Sequence, residues 1–449
     1  MATVIENIAR QVATRSDFST LALSRANDAI VDTYGAMLAG ARESPVEAAI
    51  RAFASQIGGE GPSAVVRGSR APAPIAALIN GTAAHSLDFD DNFHPARAHA
   101  SAVLVPALLS VASNDRAITG RAFLEAYLAG LEAQAAVGFG VNPSHYNIGW
   151  HATSTVGCIG TTAGVARLLG ATESEAAQAM SIAVSLSSGP KGQFGTMVKP
   201  FHAGVAARNA VEAALLAKAG MRGRLDILEG KQGFRDLCGG EDAAGWDKLP
   251  FDAHHIIETR GLVTKRHPCC GSTHRAIDAL LDLKQQHQLE ISDIQRIDAK
   301  VGVSAQRNLA YSEPRDEMEA RFSMQYCLAT AFVHGRLRLS DFTPDAVARP
   351  DLRNLMSRIS MSAYTPDEER GIERLPHVIT VTTSDGRQLS IDRLHAKGAI
   401  EAPLDDVDRH AKFLDCLNWA NIPHTKIPSW QSLGDLGSRP VLADLLPLP

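Results

Sequence analysis

What most constrains this chain is a succession of apolar segments with helical spacing and few charges, running through its first 265 residues. Residues 21–38 form one such stretch, with Gly40 placed to cap its C-terminus, and 74–87, 102–112, 121–137, 162–169, 173–186 and 204–219 follow. Many of them are rich in Ala, Leu and Val with few charges, as expected of helices buried on several sides. Turn chemistry separates them, as at 138–143 (Gly-Phe-Gly-Val-Asn-Pro) and 187–192 (Ser-Ser-Gly-Pro-Lys-Gly). Aromatic residues make up only 5% of the chain, so the packing expected is helix against helix through small side chains.

The pattern changes near Thr264. Residues 295–303 and 357–363 alternate like strands, and 378–383 with 388–391 read as a hairpin with Asp385-Gly386 at its turn. Residues 274–286 and 323–333 are helical between them, and after Pro403 helical periodicity returns through 407–419. The reading is mainly α, with an α+β unit of modest size, and 449 residues suit two domains.

The net charge of −5 and the absence of any Lys/Arg-rich run argue against nucleic acid and anionic membrane as partners. An anion must instead be drawn by a local cluster of positive groups. The six cysteines are scattered and form no CxxC, so neither a zinc site nor a disulfide framework is signalled. The N-terminus lacks an apolar core segment, and no uninterrupted apolar run reaches the roughly 18 residues of a membrane span, so a soluble, cytoplasmic protein is expected.

Four polar clusters interrupt the helices. The densest runs from His85 to Ser101 and holds Asp88, Asp90, Asp91, Asn92, His94, Arg97 and His99. It reads three ways: a capping loop in which Asp91 and Asn92 end one helix and Ser101 starts the next, a Mg²⁺ site on the Asp88–Asp91 carboxylates, or an acid/base and substrate-binding loop. No second acidic cluster faces it, which weakens the Mg²⁺ reading. The second cluster places His151 before a hydroxyl- and glycine-rich run that opens a helix, and such an opening favours anions. The third, Lys199-Pro-Phe-His202-Ala-Gly204, sets a cation just before an apolar helix, where partial burial makes it a carboxylate partner. The fourth, Lys265 to His274, falls where the pattern changes. Each cluster alone is a weak signal.

Together and in this order they resemble the MmgE/PrpD family, which includes 2-methylcitrate dehydratases, cis-aconitate decarboxylases and iminodisuccinate epimerases. The matching segments are Leu-Asp88-Phe-Asp-Asp91, Trp-His151, Lys199-Pro-Phe-His202-Ala-Gly and Pro-Cys269-Cys-Gly-Ser-Thr-His274, with similarity also at 206–220 and 403–417. The resemblance implies a large all-helical domain formed by both chain ends (1–265 and 404–449), a smaller inserted α+β lid domain (266–403), a homodimer, and an active site between the domains with no metal or organic cofactor. By motif it carries over Asp88, His99, His151, Lys199 and His274 as catalytic residues. Asn92, His202, Lys265 and a lid tyrosine would bind substrate, with Tyr311 its first candidate and Tyr326 its second. Three features depart from the family: Asn92 stands where Thr is usual, His99-Ala-Ser replaces His-Pro-Ser, and the loop from Asp88 to His99 is one residue longer than in the cis-aconitate decarboxylases.

The reaction implied is proton abstraction beside a carboxylate of a small di- or tricarboxylic acid. Such a C–H is a weak acid and needs both a placed base and positive charge near the carboxylate. His151 or His274 is expected as base with the other as acid, Lys199 as the main neutralising cation, helped by His202 and His99, and Asp88 as the carboxylate that orients a histidine. A lyase, dehydratase or decarboxylase, is the leading expectation, with an epimerase as the alternative.

Overall fold

In the computed structural model, residues 2–58, 61–113, 117–372, 374–440 and 448–449 are described. The chain divides into two compact units, Met1–Leu262 with Cys416–Pro449, and Val263–Asp415.

The first unit is helical. Its longer helices are α1 (Val4–Thr14), α2 (Thr20–Gly40), α3 (Ala73–His85), α4 (Ala100–Ala112), α5 (Gly120–Val141), α6 (Val156–Leu168), α7 (Glu173–Leu186) and α8 (Val198–Lys218). Local chemistry fixes several starts. At α7 the Thr172 hydroxyl accepts from the Glu175 N–H while the Glu175 carboxylate accepts from the Thr172 N–H, a reciprocal capping box. Every residue of α4 is buried, as is α3 from Ile75 to His85, so these two form the middle of the unit. Small residues set their spacing. A Cβ on Gly81 of α3 would lie 2.9 Å from the Cα of Gly204 on α8, and one on Gly204 would strike the Leu78 carbonyl and the Thr82 hydroxyl.

Gly40 differs from its expected role. The cap residue is Ala41 in right-handed conformation, and Gly40 is the last residue of α2. Its missing side chain serves close approach, because a Cβ there would collide with the Ala83 carbonyl of α3.

The second unit holds α9 (Gly271–His287), α10 (Met324–His334) and a sheet of β1 (Ile294–Val301), β2 (Ile359–Ala363), β3 (His377–Thr383) and β4 (Gln388–Arg393) in the order β2-β1-β3-β4. β1 runs parallel to β2 and antiparallel to β3, and β3 pairs antiparallel with β4. The hairpin turns at Asp385-Gly386, where Gly386 takes φ 86°. β3 alternates buried and half-buried positions, the signature of one covered face. Its Ile379 and Val381 join Ile297, Ile277, Leu280 and Phe332 in the core of the unit. Helix α11 (Asp406–Ala420) carries the chain out of it. Among the described residues no helix is long and apolar enough to cross a membrane.

Candidate active site

Three of the four polar clusters meet inside the helical unit. The first follows from how α3 ends. Ser86 closes the helix, and two non-glycine residues, Asp88 (φ 52°) and Arg97 (φ 49°), adopt left-handed backbone. Such conformations are uncommon outside glycine, though Asp tolerates them better than most residues. Phe93 and Ala98 exchange backbone hydrogen bonds of 2.8 and 3.2 Å, pinching residues 93–98 into a turn whose His94 and Arg97 face solvent. These two leave the cluster. Asp88, Asp90, Asp91 and the His99 ring remain within it, and Asn92 is half-buried beside them.

The carboxylates divide the work. Asp91 accepts from the Ser101 N–H at 3.3 Å and from the Ser101 hydroxyl, which also lies 2.6 Å from the Tyr127 hydroxyl. It therefore tethers the first turn of α4, whereas the capping reading is corrected: α3 already ends at Ser86, ahead of Asp91, and α4 starts after His99 rather than at Ser101. Burial raises its carboxyl to about 7, with the neighbouring Asp90 adding to the effect against the Ser101 hydrogen bonds.

Asp88 pairs with Lys199, Oδ1 to Nζ 2.6 Å, and both are buried. Asp88, expected to orient a histidine, is thus paired with the Lys199 ammonium. The carboxylate that faces histidines is Asp90: Oδ2 lies 2.9 Å from His85 Nδ1 and 3.1 Å from His99 Nδ1. Burial alone would raise the Asp90 carboxyl, yet these two imidazoles hold it well below the usual range. Sequence reasoning gave His85 no role and Asp90 only a place among the carboxylates of the Mg²⁺ reading. The available signal was a histidine at the last position of an otherwise uncharged helix.

His151 sits in the turn after α5, its N–H donating to the Gly189 carbonyl at 2.8 Å. Lys199 and His202 lie three residues apart near the start of α8, which puts them on one side of the helix. His202 Nδ1 is 3.1 Å from His151 Nδ1, so one of these nitrogens donates and the other accepts. Phe194 sets its ring edge-on to His151 at 4.9 Å and lies 5.6 Å from the Lys199 ammonium. The His85 and His99 rings are 4.4 Å apart, and His85 and His151 are 5.9 Å apart.

Burial drives the imidazoles toward neutrality. His85 falls to about 3, mainly through desolvation, with Lys199 and His99 adding to the fall and Asp90 opposing it. His151 is pushed well below its ordinary value by burial and then by His85, Lys199, His99 and His202. His202 is lowered by burial and by Lys199. The result is a group of neutral bases around one ammonium–carboxylate pair.

Ligand-capable atoms of His85, Asp88, Asp90 and His99 all lie within 4.8 Å of one another, close enough to hold a metal ion. The same space already contains a positive charge on Asp88, that of Lys199. The expectation of no metal thus meets a donor set that can be tested directly.

The fourth cluster lies in the α+β unit. His274 is on the first turns of α9, buried, with Nε2 3.2 Å from the Cys269 carbonyl. Its ring is 5.2 Å from that of His267, whose Nε2 lies 3.4 Å from Asp278. Lys265 is fully buried. Tyr326 belongs to the core of the unit and donates its hydroxyl to the Asp341 carbonyl, a structural placement, whereas Tyr311 is partly exposed.

Comparison with known proteins finds matches along both units. The model of the MmgE/PrpD N-terminal domain matches residues 6–247, and that of the MmgE/PrpD C-terminal domain matches residues 267–422. A human protein named cis-aconitate decarboxylase is 29% identical over 447 residues, covering 95% of this chain and 90% of its own length. One of the same name from Aspergillus terreus is 24% identical over 379 residues, covering 79% and 77%. With both family models matched across its two units, the chain belongs to the MmgE/PrpD family.

Proposed function

We propose that this protein is a cofactor-independent acid/base lyase acting on a small polycarboxylic acid, with cis-aconitate decarboxylation the first reaction to test. The observation that carries the reading is the buried Lys199–Asp88 pair set among the imidazoles of His85, His99, His151 and His202. A relative named cis-aconitate decarboxylase that aligns along 95% of the chain, and others that cover about three quarters of it, support the lyase class.

The chemistry follows from charge. Neutral imidazoles in a dry site are competent bases, and Lys199 offers the positive charge that a developing carboxylate-stabilised anion needs. A substrate with two or three carboxylates brings negative charge beside the imidazoles and reverses the depression that Lys199 imposes on them. One imidazole then holds the proton that must be returned. In a decarboxylation the C–C bond to the departing CO₂ breaks, its electron pair stays with the carbon framework, and an imidazolium delivers a proton to carbon. In a dehydration the β-hydroxyl leaves with that proton as water. In an epimerisation the proton returns to the opposite face. His99 and His151 are the residues proposed for proton transfer, and Lys199 and His202 for carboxylate binding. Asn92, Lys265, His274 and Tyr311 enter the proposal on family resemblance alone, as do the homodimer and the cytoplasmic location.

The test uses EDTA-treated protein in D₂O with cis-aconitate, 2-methylcitrate and one enantiomer of iminodisuccinate, each followed by proton NMR. New terminal-methylene signals with CO₂ release from cis-aconitate support the decarboxylase. A new alkene without CO₂ makes the protein a dehydratase, and deuterium at the α-carbon with decaying optical rotation makes it an epimerase. Activity that returns only with a divalent ion replaces the proposal with metal-assisted chemistry on His85, Asp88, Asp90 and His99, the second reading that the donor geometry favours. Silence from all three substrates removes the proposed substrate class.

A further inference from the structure

Asp90 is buried, and its carboxylate reaches two imidazoles at once. His85 Nδ1 lies 3.0 Å from Oδ1 and 2.9 Å from Oδ2, and His99 Nδ1 lies 3.1 Å from Oδ2. An ionised carboxylate only accepts hydrogen bonds, so each of those ring nitrogens must carry a proton. For His99 the Asp91 carbonyl, 2.8 Å from the same Nδ1, makes the same demand. For His85 Asp90 is the only hydrogen-bond partner of Nδ1 that the structure shows, and the buried Nε2 has none among the described residues. In a neutral ring that leaves Nε2 of both histidines as the basic nitrogen.

We infer that Asp90 is a positioning residue which keeps the proton on Nδ1 of His85 and, together with the Asp91 carbonyl, on Nδ1 of His99, and so presents Nε2 of each ring as the base. His99, with 16% of its side chain exposed, is the ring of this pair open to a substrate, while His85 is fully enclosed. Asp90 thus acts on the chemistry through His99, and His85 fills its second hydrogen-bonding position so that the carboxylate cannot turn away. The inference rests on the acid/base reading for its consequence in turnover, but the proton positions stand apart from any substrate.

The experiment is two-bond ¹H–¹⁵N correlation NMR of protein labelled with ¹⁵N-histidine, with the two rings assigned by His85→Gln and His99→Gln. Wild-type protein should show a protonated Nδ1 at both rings. Asp90→Asn replaces two acceptors with one acceptor and one donor, and in either amide orientation the donor faces His85 Nδ1, which lies within 3.0 Å of both Asp90 oxygens. His85 is the ring expected to switch, because His99 keeps the Asp91 carbonyl. Alongside this, kcat should fall by about 10²-fold or more with KM within about threefold, because His99 keeps its tautomer but loses the carboxylate charge that steadies its protonated form, and Asp90→Glu, which restores the charge and both acceptors, should recover part of the loss. A bare Nδ1 on either ring of the wild type overturns the inference, and needs no variant to fold. So does Asp90→Asn with both rings unchanged, or a switched ring with kcat unchanged. A wild type inactive on every polycarboxylate defeats the proposed function, while the NMR still decides the proton positions.

Discussion

Lys199 Nζ lies 2.6 Å from Asp88 Oδ1, with only 6% and 5% of the two side chains exposed. Removing one partner leaves the other charge buried and uncompensated, which typically costs about 3–5 kcal/mol. Lys199→Met and Asp88→Asn should each lower the denaturation midpoint and cut kcat/KM by at least about 10²-fold. The double variant should regain part of the stability and none of the activity. A double variant as unstable as the sum of the two singles would show that the pair is not coupled.

Substrate binding should take up protons. The His151 and His202 imidazoles are held low by burial and by Lys199, and an arriving tricarboxylate adds the opposite charge. Calorimetric titration near neutral pH in two buffers of different ionisation enthalpy should report uptake of up to about one proton per site. Release of protons, or none exchanged, removes the charging of a histidine from the mechanism.

Stability should fall with acid. His85 is lowered to about 3, and His145 and His255 to about 4, all mainly by burial. Unfolded, each takes a proton near its ordinary value of about 6.5, whereas the fold refuses it until those lower values. The native state therefore binds fewer protons between about 6.5 and 4, and loses about 1.4 kcal/mol per pH unit for each such histidine as pH drops. Asp91 and Glu132, both raised by burial to about 7, act the other way. Between about 4 and 7 they keep a proton that the unfolded chain gives up, so their contribution is lost as pH rises. Melting temperatures should accordingly decline from pH 6.5 to 4, and Asp91→Asn, which removes an opposing group, should steepen the decline. A flat profile would refute neutral burial of the histidines.

Gly204→Ala should disturb the site without touching a charged group. The added methyl meets the Leu78 carbonyl and the Thr82 hydroxyl of α3, and overpacking of this kind costs about 1–3 kcal/mol. Because Lys199 and His202 ride on α8, kcat/KM should fall together with the melting temperature, whereas Gly192→Ala, with no atom within 4 Å of its new Cβ, should change neither. Full activity in Gly204→Ala would show that the crossing tolerates displacement.

The helices were legible because their apolar composition has no competing explanation, and the hairpin because Asp385-Gly386 supplies the left-handed residue its turn requires. His151, Lys199 and His202 could be picked out from their places next to helix starts. The assignment among Asp88, Asp90 and Asp91 could not. It depends on the left-handed backbone of Asp88, and in a loop with three carboxylates within four residues nothing in the sequence announces which of them takes that sign of φ. Gly40 shows a different limit. A glycine ending an apolar stretch signals a cap or a close approach equally well, and the deciding neighbour, Ala83, is 43 positions away (83 − 40) on another helix.

The Gly81–Gly204 contact also bears on how this scaffold can change its chemistry. Two backbones in near contact work as a ruler: they fix where the third cluster stands relative to the end of α3, whatever side chains the intervening loops carry. Turning the protein toward another acid therefore calls for exchange at Asn92, the loop position half-buried beside the carboxylates. Altering either helix at its crossing would discard the measure by which the ammonium meets its carboxylate.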